Sequence, residues 1–194
     1  VRNKTKVDKN LLQIANKIKL VGRLGVGLDN IDTKYCYSKK ICVQPAIGMN
    51  ADSVAEYVAT CSLFLIKKIS LFHKKTLKGK WPRTIISSEE LKGKNLGIIG
   101  FGSVGKKVSE YCSKLGLNVF VYDKYLKKFK RKNKFHYSSL SFLIKNSDII
   151  SLHIPLTKGS KNLINKNSFT KMKKKPILIN TSRGSIINEE DLLD

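Results

Sequence analysis

Read for its apolar and polar positions, the chain breaks into short elements. Leu96-Gly-Ile-Ile is an uninterrupted apolar run, the pattern of a parallel strand buried on both faces. Behind it Val104, Val108, Tyr111, Cys112 and Leu115 recur at helical spacing, Gly116 supplies a stop, and Val119 to Tyr122 forms a second apolar strand ending at Asp123. Upstream, Val7 to Ile18 reads as a helix with Leu11, Leu12, Ile14, Ala15 and Ile18 on one face. A strand from Leu20, a glycine-rich turn, a helix started by Asp32 and a short strand over Lys40 to Gln44 follow. Asn50 or Asp52 is then expected to cap one long helix ended by the segment from Lys78 to Arg83, its apolar face made by Val54, Ala55, Val58, Ala59, Leu63, Leu65, Ile66 and Ile69. Downstream the pattern gives a short helix around Leu140, Leu143 and Ile144, a strand from Asp148 to His153, a brief helix over Ser168 to Lys173, a strand from Ile177 to Thr181 and a helix begun near Glu189.

The join between the first apolar strand and its helix is Gly100-x-Gly102-x-x-Gly105. Gly100 suits a tight strand-to-helix turn, Gly102 lets a diphosphate approach the backbone with no Cβ in the way, and Gly105 lets the helix pack closely on the strand. The phosphates would rest on unpaired N–H groups at the positive end of the helix. Asp123 lies 18 positions after Gly105, close to the ~20 expected of an acid that accepts hydrogen bonds from an adenosine ribose. A dinucleotide is therefore expected. In an open parallel sheet ligands gather beyond the carboxyl ends of the strands. Gly100 to Gly105, Asp123, His153 to Pro155 and Thr181 to Arg183 all follow such ends. The second glycine-rich turn, Gly25-Val26-Gly27, either forms an anion-binding nest of backbone N–H groups or is an ordinary turn before a helix.

Composition changes this picture little. The 194 residues are long enough to bury a sizeable core. The four cysteines, Cys36, Cys42, Cys61 and Cys112, lack CxxC spacing and nearby histidine pairs, so neither a metal site nor a disulfide framework is expected. Reduced thiols in a cytoplasmic protein are the expectation, and no apolar run approaches a membrane span. The net charge of +24 invites a nucleic-acid partner. The lysines are spread along the chain, however, so a solvated basic surface without a nucleic-acid partner is the preferred reading. Denser clusters stand at Lys127 to Lys134 and Lys171 to Lys175, the first bearing on the choice between NAD and NADP. Trp81 is assigned to core or interface packing, and His73 and His136 to the surface.

The chain resembles the D-isomer-specific 2-hydroxyacid dehydrogenases, most nearly the members that act on 3-phosphoglycerate. The resemblance is carried by Val1-Arg2-x-x-Thr5-Lys6-Val7, Gly22-Arg23-x-Gly25-x-Gly27-x-Asp29-Asn30-Ile31-Asp32, Ser53-Val-Ala-Glu56, Gly79-Lys-Trp81, the GFGSVG stretch from Gly100, His153-x-Pro155-Leu156-Thr157 and Asn180-Thr-Ser-Arg-Gly184. It implies an α/β chain: a Rossmann-type doubly wound parallel sheet over residues 49–194, preceded by part of a smaller flavodoxin-like substrate lobe over residues 1–48.

The resemblance also implies roles. Arg183 is the catalytic arginine, binding the substrate carboxylate and polarising the carbon that exchanges hydride. Gly25, Val26, Gly27 and Asn50 hold the substrate, Val26 reaching the nicotinamide end, and Arg2 and Arg23 lie where a substrate phosphate binds. Ser103, Val104, Asp123, Ile154, Pro155, Thr181 and Ser182 join the three glycines around NAD, with His153 lining the same crevice. His153 is not the catalytic base. In the family that base is a later histidine oriented by a glutamate, and both are expected after Asp194. With no methionine at Val1 and a motif already under way, the chain is expected to be a fragment lacking both ends and, alone, inactive. Pro45 sits earlier in its loop than is usual in the family, a departure in the backbone near the substrate. Asp123 repels a 2′-phosphate, so NAD is expected over NADP.

The implied reaction is oxidation of 3-phosphoglycerate to 3-phosphohydroxypyruvate with NAD, the first committed step toward serine, by a homodimer or homotetramer. Alternatives are a glyoxylate or hydroxypyruvate reductase on the same scaffold and a non-enzymatic NAD-sensing binding protein.

Overall fold

A computed structural model describes residues 1–2, 4–83, 87–126 and 135–193. The chain divides into two compact units, Val1–Asn50 and Ala51–Asp194. The lysine cluster from 127 to 134 lies outside the described residues.

In the first unit α1 (Lys9–Ile14), β1 (Leu20–Arg23), α2 (Thr33–Ser38) and β2 (Cys42–Pro45) surround a small core of Val7, Leu12, Val21, Ile31 and Cys36. Asp8 and Asp32 cap the two helices, each side chain accepting from the N–H three residues on. The strands β1 and β2 pair in parallel, Leu20 opposite Cys42 and Arg23 opposite Pro45. Helix α1 is shorter than the apolar face predicts, because Val7 leaves it to bridge Ile31 and Ile14 stays 84% exposed.

The second unit opens on α3 (Ala51–Ile66) and α4 (Ile69–Thr76), where the sequence pattern predicts one helix. Lys68 sits between them with φ 51°, a left-handed residue that cannot continue the helix. Trp81 is 81% exposed, which removes the expected core role. There follow β3 (Asn95–Ile99), α5 (Ser103–Lys114), β4 (Asn118–Tyr122), β5 (His136–Tyr137), α6 (Leu140–Asn146), β6 (Ile149–Leu152), α7 (Lys166–Lys171), β7 (Ile177–Asn180) and α8 (Glu189–Leu193). All strand pairs are parallel and the order is β5-β4-β3-β6-β7.

The central strands are mostly apolar because both faces are covered. On one side Leu96, Ile98, Val119 and Val121 pack with Ala55 and Val58 of α3 and Val108 and Cys112 of α5. On the other, Ile99, Ile150 and Leu152 pack with Leu143 and Ile144 of α6 and with Ile164 and Ile186. Strand β5 has no apolar run to announce it. It exists through its pairing with β4, where Phe120 faces His136. His136 and His73 are both exposed.

Candidate active site

Parallel register decides where the loops gather. Ile99 lies opposite both Tyr122 and Leu152, and Leu152 lies opposite Asn180, so β3, β4, β6 and β7 end on one edge. The chain runs outward from β3 to β4 and β5, then returns to build β6 and β7 on the other side. The resulting switch point opens a crevice beyond β3.

Gly100 turns the chain there with φ +97°, and a Cβ on it would stand 2.5 Å from His153 O. A Cβ on Gly105 would fall 2.1 Å from Gly100 O, so the helix start and the strand end touch backbone to backbone. Around Gly102 the opposite holds, since a Cβ would meet nothing within 4 Å. Gly102 caps α5 without a side-chain hydrogen bond, and the first N–H groups of a helix have no acceptor within it. Open space, free donors and the positive helix end together fit a diphosphate.

Asp123 closes β4 with a carboxylate held at both oxygens. Phe101 N–H donates to Oδ2 at 2.8 Å and Tyr125 N–H to Oδ1 at 2.9 Å. Each oxygen keeps a further lone pair for a ribose hydroxyl. At the end of β6 the His153 ring lies between two hydroxyls, Ser151 Oγ 2.9 Å from Nε2 and Thr181 Oγ1 3.3 Å from Nδ1. Burial pushes its pKa down to about 4, so the ring is neutral near pH 7. Ile154 and Pro155 follow, and Ser160 knits the next turn by accepting from Thr157 N–H at 2.8 Å and donating to Pro155 O at 2.7 Å.

Asn180 organises the end of β7. Its Oδ1 accepts from Ser182 N–H at 3.0 Å and its Nδ2 donates to Arg183 O at 2.9 Å. Ser182 Oγ donates to Leu152 O at 2.7 Å, tying β7 to β6, and Arg183 donates from Nη1 to Ser182 O at 2.9 Å. Arg183 thus stands at the same edge as Gly100, Asp123 and His153. Asn180 opens a motif that carries the resemblance, but the sequence assigns a role to neither it nor Ser160. The short spacing of Asn180 before Ser182 and of Thr157 before Ser160 is the signal for such local side-chain to backbone loops.

In the first unit the glycine turn follows β1. Leu24 N–H donates to Val1 O at 3.0 Å, and Asn30 Nδ2 donates to Arg2 O at 2.9 Å and Thr5 O at 2.6 Å, so the segment bearing Arg2 is laced to the turn. Arg2 is exposed, whereas Arg23 is only 5% exposed. Arg23 donates from Nε to Gly27 O at 3.0 Å and from Nη1 to Leu24 O at 2.7 Å. Asn50 is exposed at the end of this unit. Among the described residues no cluster of acidic, histidine or cysteine side chains could hold a metal ion, and no helix is long and apolar enough to cross a membrane.

Residues 59–194 match the model of the D-isomer specific 2-hydroxyacid dehydrogenase, NAD binding domain. The (S)-sulfolactate dehydrogenase of Chromohalobacter salexigens is 38% identical over 99% of this chain and 63% of its own length. The D-3-phosphoglycerate dehydrogenase of Archaeoglobus fulgidus is 38% identical over 100% of this chain and 37% of its own. Among solved structures, D-lactate dehydrogenase from Aquifex aeolicus, complexed with NAD and lactic acid, superposes with a TM-score of 0.87 at 35% identity, over 96% of this chain and 56% of that one. The chain therefore spans between about a third and two thirds of the proteins it matches. With the glycine turn, the acid ending β4 and the arginine after β7 on one sheet edge, it belongs to the D-isomer-specific 2-hydroxyacid dehydrogenases and carries their NAD-binding domain.

Proposed function

We propose that the protein oxidises 3-phosphoglycerate to 3-phosphohydroxypyruvate with NAD. NAD, when bound, supplies the hydride acceptor. This chain's own residues bind and orient. The start of α5 takes the diphosphate, Asp123 takes the adenosine ribose, and Ser103, Val104, Ile154, Pro155, Thr181 and Ser182 with the neutral His153 line the crevice. Arg183 takes the substrate carboxylate through its fixed charge and planar fork, holding the neighbouring carbon in place for hydride transfer and, in the reverse reduction, making it more electrophilic. The backbone of Gly25, Val26 and Gly27 and the Asn50 amide hold the substrate. An imidazole whose pKa burial lowers to about 4 is a weak base, which fits His153 as a lining residue of the crevice.

The observation that supports a phosphorylated substrate is Arg2, exposed on a segment that Asn30 laces to the glycine turn. A lactate-sized hydroxy acid has no second anion for it. A sulfonate would serve as well as a phosphate, which makes sulfolactate the second reading, since the Chromohalobacter relative bears that name. Arg2→Ala tests the assignment. Loss of one charge-assisted contact, about 1.5–3 kcal/mol, corresponds to a roughly 10- to 100-fold rise in KM for 3-phosphoglycerate. KM for hydroxypyruvate, run in reverse, should not move. An unchanged KM for 3-phosphoglycerate would reject the phosphate role and favour a glyoxylate or hydroxypyruvate reductase.

Subunit pairing belongs to the same proposal. Helix α3 exposes Tyr57, Phe64 and Leu65, an apolar face that a second copy of the chain would cover.

A further inference from the structure

The glycine turn of the first unit owes its polarity to a buried cation. Strand alternation puts Arg23 on the same inward face as Val21, an unusual place for a guanidinium unless it is paired. Among its partners are carbonyl oxygens of the turn itself, Leu24 O at 2.7 Å and Gly27 O at 3.0 Å. A third carbonyl, Gly25 O, accepts from Ala46 N–H at 3.2 Å, the same N–H that meets Arg23 O at 2.9 Å. In a trans peptide the C=O and the following N–H point in opposite directions. With Gly25 O and Gly27 O turned toward Ala46 and Arg23, the N–H groups of Val26 and Leu28 are turned away from them. Among the described residues neither those two N–H groups nor that of Gly27 has a hydrogen-bond acceptor. Gly25 adopts φ +144°, and a Cβ there would stand 2.8 Å from Arg23 Nη1, so the turn is wrapped closely on the guanidinium.

We infer that Arg23 is a positioning residue: by holding the Leu24 and Gly27 carbonyls inward it fixes the turn whose Val26, Gly27 and Leu28 N–H groups meet a substrate anion. This rests on the function proposed above and replaces the phosphate contact that the resemblance implies for Arg23. A guanidinium acting on the phosphate would matter only for phosphorylated substrates. One acting through the turn matters for every 2-hydroxy acid, since all of them meet the same backbone donors. It also predicts which residues are interchangeable. Lysine keeps the charge but lacks the planar fork that reaches two carbonyls at once.

The test uses the full-length protein, with R23M, R23K and R2A each assayed on 3-phosphoglycerate and on D-lactate. Positioning predicts that R23M raises KM for both substrates by one factor, tenfold or more, with kcat changed less than threefold and NAD affinity unchanged. R23K should recover only part of that loss, and R2A should raise KM for 3-phosphoglycerate alone. A rise confined to 3-phosphoglycerate in R23M, or full recovery by R23K, would overturn the proposal in favour of a direct phosphate contact. Amide hydrogen exchange supplies a second readout that needs no turnover. The segment from Gly25 to Leu28 should exchange at least tenfold faster in R23M, while β1 and β2 keep their protection. Unchanged exchange in that turn overturns the inference even where the wild type acts on neither substrate, an outcome that would sink the proposed function separately. Should R23M fail to fold, the same comparisons in R23K decide, with equal KM shifts expected on the two substrates.

Discussion

Replacing Gly105 with alanine tests the cofactor site most directly. The added carbon would fall 2.1 Å from Gly100 O, against the 3.5–4.0 Å of an ordinary contact between carbon atoms. The start of α5 must therefore back away from the end of β3 by about 1 Å or more. Overpacking of this kind costs about 1–3 kcal/mol of stability. It also carries the helix N–H groups off the diphosphate, and each charge-assisted hydrogen bond lost is worth about 1.5–3 kcal/mol, or roughly 10- to 100-fold in Kd for NAD. Gly102→Ala is the matched control. Nothing lies within 4 Å of its Cβ, and the backbone there, φ −74° and ψ −161°, is open to alanine. Folding should be nearly indifferent to it, because the loss of a glycine cap, a few tenths to about 1 kcal/mol, is offset by a similar gain from a stiffer unfolded chain. The Cβ would nonetheless occupy the space meant for phosphate. Isothermal titration with NAD and urea denaturation should therefore find Gly105→Ala weak in both affinity and stability, and Gly102→Ala weak in affinity alone. Normal NAD binding by Gly105→Ala at unchanged stability would refute the backbone-contact argument. Normal binding by Gly102→Ala would refute the placement of the diphosphate.

Two further outcomes follow from the second unit. Burial lowers the His153 pKa from the ordinary 6.5 to about 4, so the folded state prefers the neutral ring. Stability from this source is complete above the unfolded pKa and is lost as pH falls from about 6.5 through 4, by roughly 3 kcal/mol in all. Urea midpoints between pH 8 and pH 4 should fall less steeply in His153→Gln, and parallel slopes would contradict the buried neutral ring. For the apolar face of α3, Phe64→Asp should shift sedimentation toward a monomer while leaving NAD affinity intact. A wild-type protein that is already monomeric at micromolar concentration would remove the paired-subunit reading.

Some of this architecture is local and therefore open to reading from the chain alone. Short apolar runs declare β3, β6 and β7, and the glycines between β3 and α5 report a backbone contact that any side chain would break. Asp8 and Asp32 cap helices through neighbours three residues away, an interaction contained within a few residues. Asp123, His153 and Arg183 could likewise be placed at strand ends, because an all-parallel sheet has one carboxyl edge.

What only the tertiary structure decided depends on partners distant in sequence or on backbone angles that side-chain type does not announce. The break between α3 and α4 is a left-handed lysine at position 68, where a glycine would have given warning. Strand β5 is two residues long and gains its character from Phe120 and Val121 across the ladder. Asn30 binds carbonyls 25 and 28 residues away. Arg23 shows the difference best. Its charge and its place beside a glycine motif point to a ligand, and the alternation of β1 alone hints that it faces inward. Only the folded turn shows the guanidinium reaching carbonyl oxygens of the turn, because hydrogen bonding to backbone is a matter of geometry, and a buried cation takes whichever acceptors the fold brings within 3 Å of it.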